Sequence, residues 1–184
     1  MPNNYAFIDG NNLYLGAKSQ KAKLDYRKLR LYLKNKLHVT KAFLFIGYDK
    51  ANETLYDAMR SYGYELVFKP VVFYTEKGKR QMKGNVDAEL VLHAAAIEYN
   101  NYDQAVLISG DGDFACLIRF LHDRNTLAKI ITPTKRYSRL LQPFLPYIIQ
   151  LANIQHKVQV TKPGRKPTAK KPVPPQASTG HRRH

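Results

Sequence analysis

A chain of 184 residues is long enough for one compact domain with a sizeable core and an extension, whereas two full domains would be a squeeze. Its 30 lysines and arginines against 14 acidic residues give a formal charge of +16, which favours a polyanionic partner, with nucleic acid ahead of an acidic membrane. One cysteine, Cys116, excludes an internal disulfide and a structural zinc site, and the lack of a signal peptide or long apolar run predicts a cytoplasmic protein without a membrane partner.

Short apolar runs alternate with segments of helical periodicity in the first half of the chain, which predicts βαβ units around a mostly parallel sheet. Asp25 is the predicted N-cap of an amphipathic helix, and Leu29 and Leu33 lie on its apolar face. The predicted elements are strand 5–8, helix 26–36, strand 41–48, helix 53–62, strand 65–74 with a candidate kink at Pro70, and polar loop 75–84.

The second half of the chain continues this alternation. Pro143 and Pro146 interrupt the segment 137–154, for which we predict a short helix and then a strand at 147–151. The other predicted elements are helix 86–99, strand 105–109, helix 114–123 and strand 127–132. Residues 1–160 are therefore predicted to form one α/β domain with a mostly parallel central sheet.

The composition changes after residue 160 to lysine, proline, serine and glycine. This segment holds five of the ten prolines, and Val173 is its only large apolar residue. It cannot bury enough apolar surface to offset the entropy of ordering it, so residues 161–184 are predicted to form a disordered basic tail. Without the tail's seven basic residues the chain keeps a charge of +9, so the domain itself is basic.

Four aspartates occupy positions where a doubly wound sheet places its ligand site, outside the carboxyl ends of the strands. Asp9 directly follows the first strand, and Asp111 and Asp113 follow the strand 105–109. Asp87 comes from the first turn of the preceding predicted helix. We therefore expect the four carboxylates to converge.

Carboxylates that converge repel one another, so a structure that gathers them usually binds a cation, and hard oxygen ligands select Mg²⁺ or Mn²⁺ over zinc. Such an ion activates water and neutralises charge on a phosphodiester, which predicts phosphodiester hydrolysis. Asn12 is expected to orient the scissile phosphate or a water, and Ser109 to hydrogen-bond a ligand carboxylate. Gly110 and Gly112 are expected to permit backbone angles that turn the neighbouring aspartates to one point.

Each of these residues also has an ordinary structural interpretation. Asp113 can cap the helix that follows it, and Asp87 can favour a helix N-terminus. Asn12 can cap the next helix, and Ser109 can be an ordinary strand-end serine. Asp9 is harder to explain in this way, because a carboxylate that ends a buried strand before Gly-Asn-Asn has little structural purpose.

The segment Gly110-Asp-Gly-Asp-Phe-Ala115 matches the dinucleotide-binding fingerprint in its Gly/Ala form. Two aspartates in this loop would oppose a pyrophosphate at the helix N-terminus, and no acidic residue ends the next strand to hold a ribose. We therefore expect no nucleotide cofactor.

Basic residues flank the predicted metal site. Lys79, Arg80 and Lys83 precede Asp87, and Arg136 follows the strand 127–132. Such side chains draw phosphates toward a centre whose carboxylates would otherwise repel them. For any one of the lysines, a solubilising loop residue is the competing interpretation.

Three segments resemble, in order and in placement, the signature motifs of the NYN-domain family, the LabA-like branch of the PIN-like nucleases. They are Phe7-Ile-Asp-Gly-Asn-Asn12, Lys83-Gly-Asn-Val-Asp87 and Ser109-Gly-Asp-Gly-Asp-Phe114. The resemblance spans about residues 4–155 and implies a PIN-like three-layer α/β/α sandwich that cleaves RNA with Mg²⁺ or Mn²⁺. It further implies metal-binding roles for Asp9, Asp87, Asp111 and Asp113, with Asn12 in support.

The sequence thus predicts a metal-dependent endoribonuclease that acts on single-stranded or loop RNA. Its predicted substrate contacts include Lys79, Arg80, Lys83, Arg136 and Ser109. The main alternative is a non-catalytic nucleic-acid-binding regulator of the same fold, and the third is a phosphatase acting on small phosphoesters. A monomer and a homodimer are equally compatible with the sequence.

Overall fold

The computed structural model describes residues 2–20, 23–69, 72–76, 79–83 and 87–160, and for 72–76 and 79–83 it describes the backbone. The predicted tail, residues 161–184, lies outside the described residues. The structural statements below refer to these ranges.

A six-stranded sheet forms the centre of the fold. The strands are β1 (Asn4–Asp9), β2 (Val39–Gly47), β3 (Tyr64–Lys69), β4 (Val72–Glu76), β5 (Lys79–Lys83), β6 (Ala105–Ile108), β7 (Leu127–Thr132) and β8 (Ile148–Gln150). The sheet has the order β3-β2-β1-β6-β7-β8 with every neighbouring pair parallel, while β4 and β5 form a separate antiparallel hairpin. Because the chain proceeds outward from β1 in one direction and from β6 in the other, the strand order reverses between these two strands. In parallel sheets a ligand crevice forms at this switch point.

Helices cover both faces of the sheet. They are α1 (Gly10–Ser19), α2 (Tyr26–Leu37), α3 (Glu53–Ser61), α4 (Asp87–Leu92), α5 (Ala115–Asp123) and α6 (Leu151–Val158). Helix α4 continues as a π-helical turn over His93–Ile97, and 3-10 segments span Lys50–Asn52, Gly112–Phe114 and Arg139–Tyr147. Helix α2 begins as predicted, because the Asp25 carboxylate accepts a hydrogen bond from the Lys28 N–H at 3.0 Å.

Two hydrophobic cores lie on opposite faces of the sheet, because successive side chains of a strand point to opposite sides. In β1, Phe7 belongs to one core and Ile8 to the other. The first core contains apolar side chains of α4 and α5, such as Leu90. The second contains those of α1, α2 and α6, such as Leu13 and Leu29. The predicted α/β fold, a three-layer sandwich around a parallel sheet, is confirmed.

The sequence interpretation did not include α1. Gly10, Asn11 and Asn12 have low helical propensity, so the pattern after β1 resembled a loop. The helix forms there because Asp9 supplies its N-cap and Leu13 is buried in the second core.

The predicted strand 65–74 and polar loop 75–84 are wrong in part. Strand β3 ends at Lys69, and the chain then forms a hairpin in which Val72 pairs with Lys83 and Glu76 with Lys79. The hairpin arm β5 carries no apolar alternation, so its sequence gave no strand signal.

The segment after β7 contains more structure than was predicted. The predicted strand at 147–151 is present as β8, and the short helix before it is the 3-10 segment Arg139–Tyr147. Helix α6 then follows, and it packs Leu151, Ile154 and Val158 into the second core. No helix in the described part of the chain has the length and apolar character needed to cross a membrane.

Candidate active site

The carboxylate of Asp9 lies at the junction of β1 and α1. Its Oδ1 atom accepts a hydrogen bond from the Asn12 N–H at 3.0 Å, so Asp9 caps the helix. The residue is 5% exposed. The interpretation that this carboxylate has little structural purpose is therefore wrong, since it starts α1.

Ser109 connects Asp9 to the neighbouring strand. Its Oγ atom donates a hydrogen bond to Asp9 Oδ2 at 3.2 Å and accepts one from the Asp111 N–H at 3.1 Å. This buried hydroxyl joins the ends of β1 and β6. Its predicted contact with substrate stays a prediction.

Asn12 makes a second connection across the same two strand ends. Its side-chain oxygen accepts a hydrogen bond from the Gly110 N–H at 3.0 Å. The first turn of α1 is thereby attached to the loop that carries Asp111. The predicted role of Asn12 toward a phosphate or water stays a prediction.

A cleft of about 1000 Å³ opens at this edge of the sheet. Asp9, Asp87 and Asp111 all line it, so three of the four predicted carboxylates share one cavity. Asp87 reaches it from the first turn of α4, which packs against β1. The sequence predicted Asp9 and Asp111 from their positions after strand ends, and Asp87 from its position in the first turn of a helix.

Asp113 has a different environment from the other three aspartates. Its side chain is exposed and does not contribute to the cleft lining, and its N–H donates to Asp111 Oδ1 at 3.1 Å. Asp111 is therefore the N-cap of the short 3-10 turn Gly112–Phe114, a role that the sequence had suggested for Asp113. The predicted metal contact of Asp113 stays a prediction.

Burial is the main cause of a raised pKa at Asp9, and the negative charges of Asp87 and Asp111 raise it further. The hydrogen bonds from Asn12 and Ser109 act in the opposite direction by stabilising the ionised form. The net direction is upward. The folded protein therefore holds the Asp9 charge at an energetic cost.

Two loops approach so closely at Gly112 that they leave no room for a side chain there. A Cβ atom at this position would overlap Ser138 Oγ, in the segment that follows β7. Among the glycines that the structure describes, a positive φ is confined to Gly63. The expectation that Gly110 and Gly112 supply unusual backbone angles is therefore wrong, and the space that a side chain would occupy is what matters.

Of the predicted basic contacts, Arg136 lines the cleft. It follows β7, and the next residue, Tyr137, approaches Gly110 in the loop beside Asp111. Lys79, Arg80 and Lys83 belong to β5, and their side chains lie outside the described residues. Their contact with a substrate stays a prediction.

The donor chemistry of the cleft fits a hard divalent cation. Asp9, Asp87 and Asp111 present oxygen ligands to one cavity, and a cation would relieve the repulsion that helps to raise the pKa of Asp9. Within the described ranges, however, no three His, Cys, Asp or Glu side chains are already gathered closely enough to hold a metal ion. The three aspartates are the residues that would hold it.

Sequence reasoning missed the part of the cleft that lies away from these aspartates. Tyr14 and Leu15 of α1 line it, as do Asp49, Asn52 and Leu55 around the start of α3. Asp49 was not among the predicted site residues. The signal that was available is its position just after the carboxyl end of β2, which is the rule that identified Asp9.

Comparisons with known proteins agree with this architecture. The chain is 28% identical over 163 residues to the low amplitude and bright protein LabA of Synechococcus elongatus, with 85% of this chain and 87% of that protein covered. A crystal structure of a Vibrio parahaemolyticus protein of unknown function is similar in fold, with a TM-score of 0.64 and 22% identity, covering 82% of this chain and 93% of the other. The model of the NYN domain matches residues 5–145, which is most of the chain. Together with the three motifs at the strand ends, this match shows that the chain belongs to the NYN domain family, within the PIN-like nuclease superfamily.

Proposed function

We propose that the protein is a metal-dependent endoribonuclease that hydrolyses phosphodiester bonds in single-stranded or loop RNA. The observation that carries this proposal is that Asp9, Asp87 and Asp111 line one cleft at the switch point of the sheet. The family and the basic surplus of the chain support a nucleic acid as the substrate.

The residues of the cleft would divide the work between holding a cation and binding a phosphate. Hydrogen bonds from Asn12 and Ser109 fix the Asp9 carboxylate, so little reorganisation is needed when a substrate arrives. Arg136 would draw a phosphate oxygen toward a site that the carboxylates make negative. A bound Mg²⁺ or Mn²⁺ supplies an activated water and neutralises charge on the phosphodiester.

The surroundings that we infer for this activity follow from the remaining sequence features. The single, exposed Cys116 is compatible with the reducing cytoplasm. The basic segment 161–184 would add affinity for RNA that is independent of sequence. No nucleotide cofactor is needed, and a homodimer remains as compatible as a monomer.

Metal removal is the direct test of the proposal. Full-length protein is expected to cleave a labelled single-stranded RNA with Mn²⁺ and to lose this cleavage in EDTA, with recovery when Mn²⁺ is restored in excess. Cleavage that persists at the same rate in EDTA would contradict metal dependence. Turnover of a small chromogenic phosphoester without turnover of RNA would identify a phosphatase instead.

One observation favours the non-catalytic RNA-binding regulator as the second candidate. In the described part of the chain the acidic residues are not gathered into a group ready for a metal ion. A regulator would bind the same labelled RNA tightly in both Mn²⁺ and EDTA and would not cut it.

A further inference from the structure

The cleft continues beyond the carboxylates into a second region with a different chemical character. We call this region the apolar arm, and it is lined by Leu15, Ile46, Leu55, Tyr56 and Met59. Its residues come from α1, the end of β2, and α3. The arm is continuous with the site that holds Asp9, so a ligand bound at the carboxylates extends naturally into it.

Three of the large apolar side chains that line the cleft are exposed. Tyr14 is 54% exposed, Leu15 51% and Leu55 49%. Exposed apolar residues scattered singly need no explanation, but three that line one cleft can contact one ligand together. The arm therefore offers apolar contact that the folded chain does not use itself.

The charges in the cleft determine which part of a nucleotide the arm can accept. Arg136 is the one basic side chain among the described residues of the cleft lining, and its neighbour Tyr137 approaches Gly110 beside the carboxylates. The charged group near the arm is Asp49, which would repel a phosphate. A neutral occupant with apolar faces is favoured there, and a nucleobase is such a group.

Polar atoms near the arm complement the edge of a base. The Asp49 Oδ1 atom accepts a hydrogen bond from the Ala51 N–H at 3.0 Å, and the second carboxylate oxygen is available within the described structure. Asn52 lies beside it and also lines the cleft. A carboxylate and an amide can accept hydrogen bonds from the N–H groups of an unpaired base.

The size of the cleft fits one nucleotide of a chain better than the surface of a second protein. A volume of about 1000 Å³ is at the upper end of pockets that enclose small molecules. It exceeds what a hydrated cation and one phosphate require. Docking of a second protein uses a broad surface patch, whereas this region is a cleft.

We propose that the apolar arm is a nucleobase subsite that receives the base of the nucleotide next to the phosphodiester held at Asp9, Asp87 and Asp111. This proposal rests on the proposed ribonuclease function. Leu15 and Leu55 contact the faces of the base, Tyr14 stacks at the entrance, and Asp49 accepts hydrogen bonds from its edge. Lys18, whose Nζ lies 5.8 Å from the centre of the Tyr14 ring, adds positive charge at the entrance.

The test combines a change in the arm with a change in the RNA. Leu55→Ser removes apolar contact from the arm, and Leu31→Ser on α2 is the matched control because both leucines are 49% exposed. The substrates are one labelled single-stranded RNA and a series in which a single abasic site is moved through the nucleotides beside the cleavage position. KM and kcat are measured with Mn²⁺, and Kd is measured by fluorescence anisotropy in EDTA.

We expect Leu55→Ser to raise KM on intact RNA about tenfold, because serine removes apolar area that the base would cover, with little change in kcat. On the RNA that is abasic at the contacted position, Leu55→Ser and the unmodified protein are expected to have the same KM. Leu31→Ser is expected to behave as the unmodified protein on every substrate. Leu15→Ser tests the same arm from α1 if thermal melts show that Leu55→Ser is misfolded.

The outcomes separate the subsite from the ribonuclease function. If the unmodified protein cleaves RNA and Leu55→Ser and Leu31→Ser have equal KM on intact RNA, the subsite proposal is overturned. The ribonuclease proposal is then unaffected. A rise in KM of the same size on every abasic RNA would also overturn it. If the protein cuts no RNA, the ribonuclease proposal fails, and Kd then decides the subsite. A loss of affinity confined to RNA that carries the base supports the subsite, and an unchanged Kd overturns it.

Discussion

Asp9→Asn is expected to raise the melting temperature of the metal-free protein at neutral pH while lowering Mn²⁺-dependent RNA cleavage by about 100-fold or more. The stability gain follows from burial, which raises the pKa of Asp9 with help from the charges of Asp87 and Asp111. Asparagine carries no charge and caps helices as well as aspartate does, so α1 keeps its first hydrogen bond. The activity loss follows because a neutral amide is a weak partner for a divalent cation.

The pH dependence of this stability difference has a definite sign. The folded pKa of Asp9 lies above its unfolded value, so ionisation costs stability as the pH rises from the unfolded pKa of roughly 4 through the folded pKa. The advantage of Asp9→Asn is therefore full at neutral pH and shrinks toward pH 4. Thermal melts in EDTA from pH 4 to 8 measure it, with Asp123→Asn, an exposed aspartate at the end of α5, as control. A variant that melts below the unmodified protein throughout this range would show that the Asp9 charge stabilises the fold.

Asp111→Asn is expected to abolish metal-dependent cleavage. The loss should exceed the roughly 100-fold that follows when a residue that only hydrogen-bonds to a metal ligand is removed. Its effect on stability should be small, because Asp111 is exposed and asparagine keeps the side-chain oxygen that accepts the Asp113 N–H. This combination distinguishes loss of a ligand from loss of structure. Cleavage of labelled RNA over a range of Mn²⁺ concentrations and a thermal melt measure the two effects.

The matched control for this experiment is again Asp123→Asn. It removes an exposed carboxylate whose Oδ1 atom lies 3.3 Å from His122 Nδ1. It is expected to leave the rate of cleavage unchanged. A change of about twofold is well below the loss expected when a metal ligand is removed. If the rate of Asp111→Asn lies within about twofold of this control, Asp111 has no part in holding a cation.

The parallel sheet could be predicted from the sequence because its strands are buried on both faces. The run 105–108 is fully buried and consists of apolar residues alone, a pattern that parallel strands between helices require. Helix α1 could not be predicted in the same way, since Gly10 and two asparagines are poor helix formers and the cap is the last residue of a strand. Packing against the second core overrides this local preference.

The carboxylate part of the candidate site was predictable for a topological reason. Residues that end parallel strands meet at one edge, so Asp9 and Asp111 are neighbours although they are distant in sequence. The apolar arm was not predictable, because Leu15 and Leu55 have the same residue type and helical placement as core leucines. Only the three-dimensional structure shows that they face a cleft and are half exposed.

Helix α6 has a practical consequence for how the domain is excised. The family match ends at residue 145, but the chain continues through β8 and α6, and the Asp25 N–H donates to the Val158 carbonyl at 2.8 Å. Leu151 and Ile154 cover the apolar side of α2 that carries Leu29. A recombinant fragment that stops at residue 145 would expose this apolar side of α2 to solvent and would tend to aggregate. A shortened protein should therefore retain everything up to residue 160.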